Sequence, residues 1–361
     1  MNLTDPISII PGIGPKKQKS LSDAGYSTIG DLMVADFYDV MRVPEMGSKS
    51  TSNVFRYIGR RHDYISMKEI VSDIGDFITI ENKNIYPWSH YKTPEEMVSQ
   101  PSDFKLENTT VWSFPNRGDW ATHTPHYRGN WSPRVVRNVI ERYSKPNDVV
   151  LDPMVGGGTT AIEAILTGRN SISSDINPGA IAITQDRLKL PANILSELPE
   201  TVHRFYVGDV RNLDKIPDES IDLIATHPPY VNIIRYTQCV DGDLSQFNDY
   251  NLFFEEFRTA ISEFYRVLKP GKYCAVLIGD THNRGHFVPI SGKVMMDFLK
   301  AGFLLKEDVI KREWNCESDR NLKKYANSDF LLTMHEHLFI FRKPKNDEKK
   351  IYKNSSAVFF E

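Results

Sequence analysis

The second half of the chain alternates between short apolar runs and amphipathic segments, and this alternation limits the fold more than any other feature. Apolar runs typical of buried strands occur in DVVLDPM, NSISSDI, RFYVGDV and IDLIATH. Segments with helical spacing follow two of them, TAIEAILTG and NPGAIAITQDRL. Strands that alternate with helices predict an α/β fold with a doubly wound, mostly parallel sheet.

A glycine-rich turn lies between the first of these strands and its helix, within LDPMVGGGTTAIEA from Leu151 to Ala164. Glycines at such a turn let a ligand approach the backbone and the helix N-terminus, which favours a bound carboxylate or phosphate. The turn lacks both the G-x-G-x-x-G spacing of dinucleotide sites and the lysine of a P-loop. These two nucleotide-binding interpretations are therefore disfavoured.

Three aspartates stand at the ends of successive predicted strands, namely Asp152, Asp175 and Asp209. Because the carboxyl ends of parallel strands meet at one edge of a sheet, we expect the three carboxylates to face one crevice. Asp175 is then placed to accept hydrogen bonds from ribose hydroxyls, and Asp209 from an adenine amine. One such aspartate is more often a helix cap or a loop residue, but three in register favour a nucleoside site.

The fourth predicted strand stops at THPPY, where Pro228 and Pro229 fix two φ angles and remove two N–H donors. A rigid turn must therefore follow the strand. The glycine turn, the aspartates and this proline turn together resemble the amino-methylating DNA methyltransferases of the N4-cytosine/N6-adenine class. The resemblance covers roughly residues 110–343.

The resemblance implies a seven-stranded methyltransferase sheet and S-adenosyl-L-methionine as the cofactor, and no metal. An upstream segment, VWSFPNRGDWATHTPHYRGNWSP, is expected to close over the methionine end of the cofactor. Ser132 and Pro133 in it are a good N-cap and first-turn pair for the next helix. The residues assigned to cofactor binding are Asp152, Pro153, Gly156, Gly158, Thr159, Asp175, Asp209, Trp131 and Ser132.

The catalytic loop implied by the resemblance consists of His227, Pro228, Pro229 and Tyr230. In this family the carbonyl of the first proline and the side chain before it accept hydrogen bonds from the exocyclic amine of the target base. The tyrosine stacks on that base, which is flipped out of the duplex.

His227 departs from the family pattern, in which N4-cytosine enzymes usually carry Ser and N6-adenine enzymes Asp or Asn. A neutral histidine can accept through one ring nitrogen, with its tautomer set by a neighbour. We predict a site-specific DNA methyltransferase that prefers cytosine N4. The alternatives are adenine N6, an RNA amino-methyltransferase of the transfer-RNA guanine type, and a non-catalytic DNA-binding relative.

The first sixty residues contain an imperfect repeat, SIIPGIGPKKQKSLSDAGY followed by MRVPEMGSKSTSNVFRYIG. Each copy passes from an apolar pair through a glycine turn into helical spacing, which resembles a tandem helix-hairpin-helix domain. Such turns bind DNA phosphates through backbone N–H groups, without reading bases. Gly12, Gly14, Lys16 and Lys17 are the predicted contacts. A small helical interaction domain with a capping glycine is the alternative.

A second group of predicted DNA contacts, Arg320 and Lys323, lies in REWNCESDRNLKKYANSDF. This stretch mixes basic and aromatic residues, as nucleic-acid-binding loops do, and a solvated loop explains it equally well. The predicted partner is double-stranded DNA with a flipped base, and a cognate restriction endonuclease is a candidate partner.

Bulk properties are those of a globular protein of the cell interior. The chain has 361 residues and a formal net charge of -3, which disfavours a histone-like basic coat. Its three cysteines form no Cys-x-x-Cys pair. No segment has the pattern of a signal peptide or of a membrane span. The predicted organisation is a helix-hairpin-helix-like domain at 1–61, a linker or small packed segment at 62–108, a methyltransferase domain at 109–345 and a mobile tail at 346–361.

Overall fold

The computed structural model forms two compact units, Met1–Ile65 and Ser66–Glu361. It describes residues 2–35, 39–40, 43–58, 67–69, 74–80, 83–231, 234, 236–237, 240, 242–315, 328–345 and 348. The division after Ile65 lies close to the boundary predicted after residue 61. Most of the predicted tail, 346–361, lies outside the described residues. No described helix is both long and apolar enough to cross a lipid bilayer.

The described part of the first unit is helical around a small apolar core. Thr28 begins the second helix with a capping box, because its hydroxyl accepts from the Asp31 N–H and the Asp31 carboxylate accepts from the Thr28 N–H. The core includes Ile7, Leu21 and Phe55, each at most 1% exposed. The helices are α1 (Pro15–Asp23), α2 (Ile29–Val34) and α3 (Gly47–Tyr57).

The repeat in the sequence recurs in the backbone of the first unit. Gly12 and Glu45, at equivalent positions of the two copies, both have left-handed backbones with φ of +86° and +71°. Glycine adopts this conformation freely, whereas a residue with a Cβ is strained there. Lys17 and Ser50, which are also equivalent, meet across the repeat, where Lys17 Nζ donates to Ser50 Oγ at 2.8 Å. The helix-hairpin-helix assignment itself stays a prediction.

The second unit is built on one sheet of nine strands among its described residues. The strands of this sheet are β1 (Lys68–Glu69), β4 (Val111–Ser113), β5 (Val149–Asp152), β6 (Asn170–Asp175), β7 (His203–Val207), β8 (Ile221–Thr226), β9 (Leu268–Gly279), β12 (Leu304–Arg312) and β13 (His335–Arg342). The order across the sheet is β1-β7-β6-β5-β8-β9-β13-β12-β4. Two hairpins are separate: β2 (Ile78–Ile80) with β3 (Lys83–Ile85), and β10 (Thr281–Asn283) with β11 (His286–Val288).

The mostly parallel arrangement is confirmed, and the predicted count of seven strands is corrected to nine among the residues that the structure describes. β7, β6, β5, β8 and β9 pair in parallel, and β13 is antiparallel to both of its neighbours. The two additional strands are at the edges, where β1 pairs antiparallel with β7 and β4 pairs parallel with β12. At two and three residues, they are too short to produce a periodic pattern in the sequence.

Helices cover both faces of the sheet, as predicted for a doubly wound fold. Successive side chains of β8 lie on opposite faces of the sheet, since Ile224 packs in one core cluster and Leu223 in the other. Phe257 of one helix joins the first cluster and Val136 of another joins the second. The helices of this unit are α4 (Pro133–Tyr143), α5 (Thr159–Leu166), α6 (Pro178–Arg187), α7 (Ala192–Leu195), α8 (Tyr250–Val267) and α9 (Ile290–Lys300).

The described parts of 62–108 belong to the second unit and pack against its sheet and helices. β1 extends the main sheet through Lys68 and Glu69. Farther along, the Trp88 N–H donates to the Asp186 carboxylate at 2.8 Å. This segment therefore belongs to the structure around the sheet, and because its contacts are long-range, its sequence did not reveal its partners.

Candidate active site

The carboxyl ends of the parallel strands border a cavity that contains most of the predicted cofactor residues. Gly158 is not in its wall but caps α5, and Ser132 lines an adjacent cleft. The three aspartates predicted at strand ends therefore lie in one cavity, while their roles stay predictions. The predicted residues that line it are Asp152, Pro153, Gly156, Thr159, Asp175, Asp209 and Trp131.

The glycine turn is shaped by contacts with the protein itself. Gly156 and Gly158 have φ of +51° and +81°, which glycine adopts without strain. Gly157 is required for space, because a Cβ there would lie 2.6 Å from Arg187 Nη1 and 2.8 Å from Tyr127 Cβ. The buried Arg187 guanidinium also donates to the Gly157 carbonyl. The turn is thus held in place before any ligand binds.

Two aromatic residues of the cavity wall were not predicted individually. Tyr127 is 3% exposed, and its ring stacks on Tyr236 with centroids 6.0 Å apart. Both line the cavity. Tyr127 lies in the segment expected to close over the cofactor, but its partners are distant in sequence, so no local pattern could identify it.

Asp175 ends β6 and has its carboxylate in the cavity. The Gly156 N–H donates to Oδ2 at 3.0 Å and the Asn177 N–H donates to Oδ1 at 2.9 Å. Burial raises the pKa of Asp175 to about 7, although these two hydrogen bonds lower it. Each carboxylate oxygen can accept a further hydrogen bond, so the arrangement suits a ligand that presents hydroxyl donors.

Asp152 ends β5 and links three elements beneath the cavity. Thr160 of α5 donates its hydroxyl to Oδ2 at 2.5 Å, and Thr226 of β8 donates to Oδ1 at 2.9 Å. Burial nevertheless raises the pKa of Asp152 to about 6. Beside it, the buried hydroxyl of Thr159 lines the cavity and has no hydrogen-bond partner among the described residues. A buried hydroxyl of this kind points to a polar ligand.

Asp209 lies two residues beyond the end of β7 and also lines the cavity. Arg211 Nε donates to Asp209 Oδ1 at 2.8 Å, and Arg211 Nη2 donates to the other carboxylate oxygen. The same guanidinium reaches Glu256 at 2.7 Å. Asp209 is therefore part of a buried ion-pair network, and its role toward an adenine amine stays a prediction.

The proline loop begins where predicted, directly after β8. This strand is buried along its whole length and ends at Thr226. His227 and Pro229 line the cavity at the carboxyl ends of the strands. They also line a second, larger cleft together with Pro228 and Tyr230. The loop is thus the wall shared by two adjoining spaces, as is Trp131.

A row of hydrogen-bonded side chains runs from His227 into the sheet. His227 Nε2 lies 2.5 Å from Tyr230 Oη, which lies 2.5 Å from Glu336 Oε1. Lys311 Nζ donates to Glu336 Oε2 at 2.6 Å. Gly279 makes room for the tyrosine, since a Cβ there would lie 2.8 Å from Tyr230 Cε2. Neither Glu336 nor Lys311 was predicted.

The larger cleft has cationic and aromatic groups suited to nucleic acid. The Arg312 guanidinium lies 4.0 Å from the ring centre of Trp314, and both line the cleft with Arg128 and Arg284. Stacked arginine and tryptophan side chains are common contacts of single-stranded nucleotides. The predicted DNA contacts Arg320 and Lys323 lie outside the described residues.

The other predicted DNA contacts surround the first turn of α1. Gly14 is the N-cap of the helix, and Gly12 precedes it in a left-handed conformation. Gly12, Gly14 and Lys16 are exposed, whereas Lys17 is partly buried by its hydrogen bond to Ser50. The structure thus brings them together, and DNA binding stays a prediction.

Two family models match the chain. The model described as DNA methylase matches residues 40–186 and 221–358. The RMKL-like methyltransferase domain matches residues 142–248.

Curated relatives match shorter stretches. The type II methyltransferase M.MjaI of Methanocaldococcus jannaschii is 28% identical over 176 residues, or 40% of this chain and 57% of that protein. The DNA adenine methyltransferase YhdJ of Escherichia coli is 26% identical over 125 residues, or 35% of this chain and 42% of that protein. The chain thus spans about half the length of the curated relatives it matches.

Among solved structures, a SAM-dependent methyltransferase from Methanosarcina mazei is 15% identical with a TM-score of 0.41. The match covers 57% of this chain and 97% of that one. The DNA methylase model, by contrast, spans most of the sequence and includes both the glycine turn and the proline loop. This chain therefore belongs to the DNA methylase family.

Proposed function

We propose that this protein is a site-specific DNA methyltransferase. It transfers the methyl group of S-adenosyl-L-methionine to the exocyclic amine of a flipped base, with cytosine N4 preferred. The observation that carries the proposal is the position of the proline loop between two spaces, since His227, Pro229 and Trp131 line both. A methyl donor in one space and a base in the other would meet at this loop.

The residues of the smaller cavity fit the cofactor. Asp175 has acceptor capacity for ribose hydroxyls, and the Thr159 hydroxyl, which has no hydrogen-bond partner in the described part of the chain, can bond the methionine end. The Asp152 carboxylate lies in the same wall, where it favours a cation. When bound, S-adenosyl-L-methionine supplies a methyl group activated by its sulfonium.

The residues of the loop orient the nucleophile. An exocyclic amine is weakly nucleophilic because its lone pair is delocalised into the ring. Hydrogen bonds from the amine to His227 and to the Pro228 carbonyl turn this lone pair toward the methyl group. Tyr230 contacts the base ring, and the fixed φ angles of the two prolines keep the acceptors in place.

Cytosine N4 is the preferred target because PPYVNIIRYT and the later GD motif resemble the N4-cytosine branch of the family. The named relative YhdJ, an adenine methyltransferase, keeps adenine N6 as the alternative. Mass spectrometry of hydrolysed, methylated DNA distinguishes them. N4-methylcytosine is the expected product, and N6-methyladenine alone contradicts the branch assignment.

Two substitutions test the site. Asp175→Ala is expected to weaken S-adenosyl-L-methionine binding, measured by calorimetry, because the ribose loses its acceptor. Tyr230→Ala is expected to keep that affinity near normal and to abolish methyl transfer. Full activity of Tyr230→Ala contradicts its assignment to the base.

Labelled methyl transfer to DNA and to transfer RNA, offered together, tests the substrate class. DNA is expected to take the label. Transfer to RNA alone supports the RNA amino-methyltransferase alternative, and cofactor binding without transfer to either supports the non-catalytic one.

The first unit is proposed to add sequence-independent affinity for DNA through the α1 turn. Each phosphate contact contributes about −0.9 to the slope of log affinity against log salt, so the loss of one contact makes the slope shallower by about 0.9. Lys16→Gln in the full chain should make the slope shallower by about that amount and leave the methylated base unchanged. An unchanged slope contradicts the contact, while a changed product contradicts its independence of sequence.

A further inference from the structure

The side chains that fix the tautomer of His227 form a continuous row across the ends of three strands. Lys311 and Glu336 are directly opposite each other on β12 and β13, and Glu336 is opposite Gly279 on β9. The ring of Tyr230 occupies the space that Gly279 leaves and so reaches the Glu336 carboxylate. This geometry joins the proline loop to a buried ion pair.

The chemistry of the groups in this row decides which one donates and which one accepts each hydrogen bond. An ammonium group only donates, and an ionised carboxylate only accepts. Burial alone would raise the pKa of Glu336, but the Lys311 ammonium, 2.6 Å from Oε2, holds it well below its ordinary value. Burial and the Glu336 charge raise the pKa of Tyr230, so the phenol keeps its proton. Tyr230 therefore donates to Glu336.

The direction of the tyrosine hydrogen decides the tautomer of the histidine. Because Tyr230 Oη donates its single hydrogen to Glu336 Oε1, it can only accept a hydrogen bond from His227 Nε2, which lies 2.5 Å away. A neutral imidazole with its proton on Nε2 has a lone pair on Nδ1. His227 Nδ1 is buried and has no partner among the described residues, although the imidazole lines both spaces of the active site.

We infer that Lys311 and Glu336 are positioning residues that act through Tyr230 to hold His227 in the Nε2–H tautomer, so that Nδ1 accepts a hydrogen bond from the target amine. This inference rests on the proposed function and assigns the acceptor atom within it. It also accounts for a histidine where family members use Ser, Asp or Asn.

The same atom can take the proton that methyl transfer releases. The amine lone pair forms the N–C bond, and the electron pair of the S–C bond moves to sulfur, which becomes a thioether. The methylated nitrogen then loses one proton to His227 Nδ1, and the resulting imidazolium later releases it to water. The Glu336 carboxylate, 3.7 Å from Nε2, balances the transient charge.

Glu336→Gln is the most informative variant because it should reverse the direction of the hydrogen bonds in the row. The Lys311 ammonium requires the amide oxygen, so the amide NH2 faces Tyr230 Oη. Tyr230 then donates to His227 Nε2, and the imidazole carries its proton on Nδ1. A catalytic histidine in the wrong tautomer lowers kcat by about 10⁴-fold in serine proteases. We expect a loss of about 10²–10⁴-fold in kcat, with cofactor affinity within about twofold of wild type.

A second substitution should restore activity. In the Lys311→Met/Glu336→Gln variant no cation holds the amide oxygen, so the amide can turn that oxygen toward Tyr230. We expect this double variant to be at least about tenfold more active than Glu336→Gln alone, because the productive tautomer returns. Lys306→Met in the Glu336→Gln background is the matched control, since Lys306 is an exposed lysine of the same strand. It should restore nothing.

The tautomer can be read without any activity. Imidazole ¹⁵N shifts of histidine-labelled full chain separate the two tautomers, and a His227→Asn sample identifies the signal among the ten histidines. Wild type should show Nε2–H and Glu336→Gln should show Nδ1–H. Tyr230→Phe, which removes Oη, should also raise the Nδ1–H population and serves if Glu336→Gln does not fold.

An Nδ1–H signal in wild type overturns the inference, as does an unchanged signal in the variants. A double variant that is no more active than Glu336→Gln overturns it as well. A protein with the expected tautomers that transfers no methyl group to nucleic acid contradicts the proposed function, and with it the acceptor role of Nδ1, while the row of hydrogen bonds remains.

Discussion

Asp152→Asn tests how far the buried carboxylate beneath the cavity destabilises the fold. Burial raises the pKa of Asp152 to about 6, and the hydrogen bonds from Thr160 and Thr226 lower it only in part. In the unfolded chain the carboxyl returns to about 3.9. Because the folded pKa is the higher one, the stabilising contribution of this group is complete below the unfolded pKa and is lost as the pH rises through about 6.

The magnitude follows from these two pKa values. One pKa unit corresponds to about 1.4 kcal/mol, so ionised Asp152 lowers the free energy of unfolding by about 3 kcal/mol above pH 7. About 1.4 kcal/mol of this loss falls between pH 5 and pH 8. An asparagine at this position has no charge to bury; the Thr226 hydroxyl can still donate to its amide oxygen, and the Thr160 hydroxyl can rotate to accept from its NH2. The stability of the variant relative to wild type should therefore increase by about 1.4 kcal/mol over this pH range.

Urea unfolding of both proteins at pH 5, 6, 7 and 8, without cofactor, measures this difference. Asp103→Asn is the matched control, because a hydrogen bond from Arg134 lowers the pKa of this exposed carboxyl. Its contribution is complete above the unfolded pKa, so the control difference should be constant from pH 5 to pH 8. A stability difference for Asp152→Asn that stays constant or falls with pH refutes the reasoning.

Three further substitutions probe other parts of the chain. Glu163→Leu should lower the free energy of unfolding by about 3–5 kcal/mol in urea, because it leaves the buried Arg137 guanidinium without its carboxylate. Gly157→Ala should destabilise by about 1–3 kcal/mol, because its Cβ would meet the Arg187 guanidinium, and a melting temperature like that of wild type would contradict this. Glu45→Gly should tighten DNA binding severalfold in fluorescence anisotropy, because the turn in the second copy of the repeat loses a negative charge and becomes more like the turn in the first copy.

Local sequence predicted those parts of the site that a short segment determines. The apolar run before THPPY is a strand, and it ends at Thr226, as the two prolines require. Ser132 caps α4, with its hydroxyl accepting from the Arg134 N–H and Pro133 in the first turn. In both cases a few adjacent residues carry the whole interaction, so their types are enough to predict it.

Contacts between distant residues could not be predicted in this way. Tyr230 and Glu336 are 106 residues apart, and their contact depends on the absence of a side chain at Gly279. The space at Gly157 is likewise filled by Tyr127 and Arg187, so this glycine serves packing within the protein. Glycine patterns indicate a close approach, but they do not reveal which partner approaches.

The topology explains why Glu336 was missed. Ligand sites of parallel sheets are sought at the carboxyl ends of strands, and Lys311, the next-to-last residue of β12, satisfies that rule. β13 runs antiparallel to β9 and β12, so its beginning, not its end, lies at the same edge. Glu336 is the second residue of β13 and therefore reaches the proline loop. Where a mostly parallel sheet contains a reversed strand, the first residues of that strand are candidates for the active site on the same physical grounds as the last residues of the parallel strands.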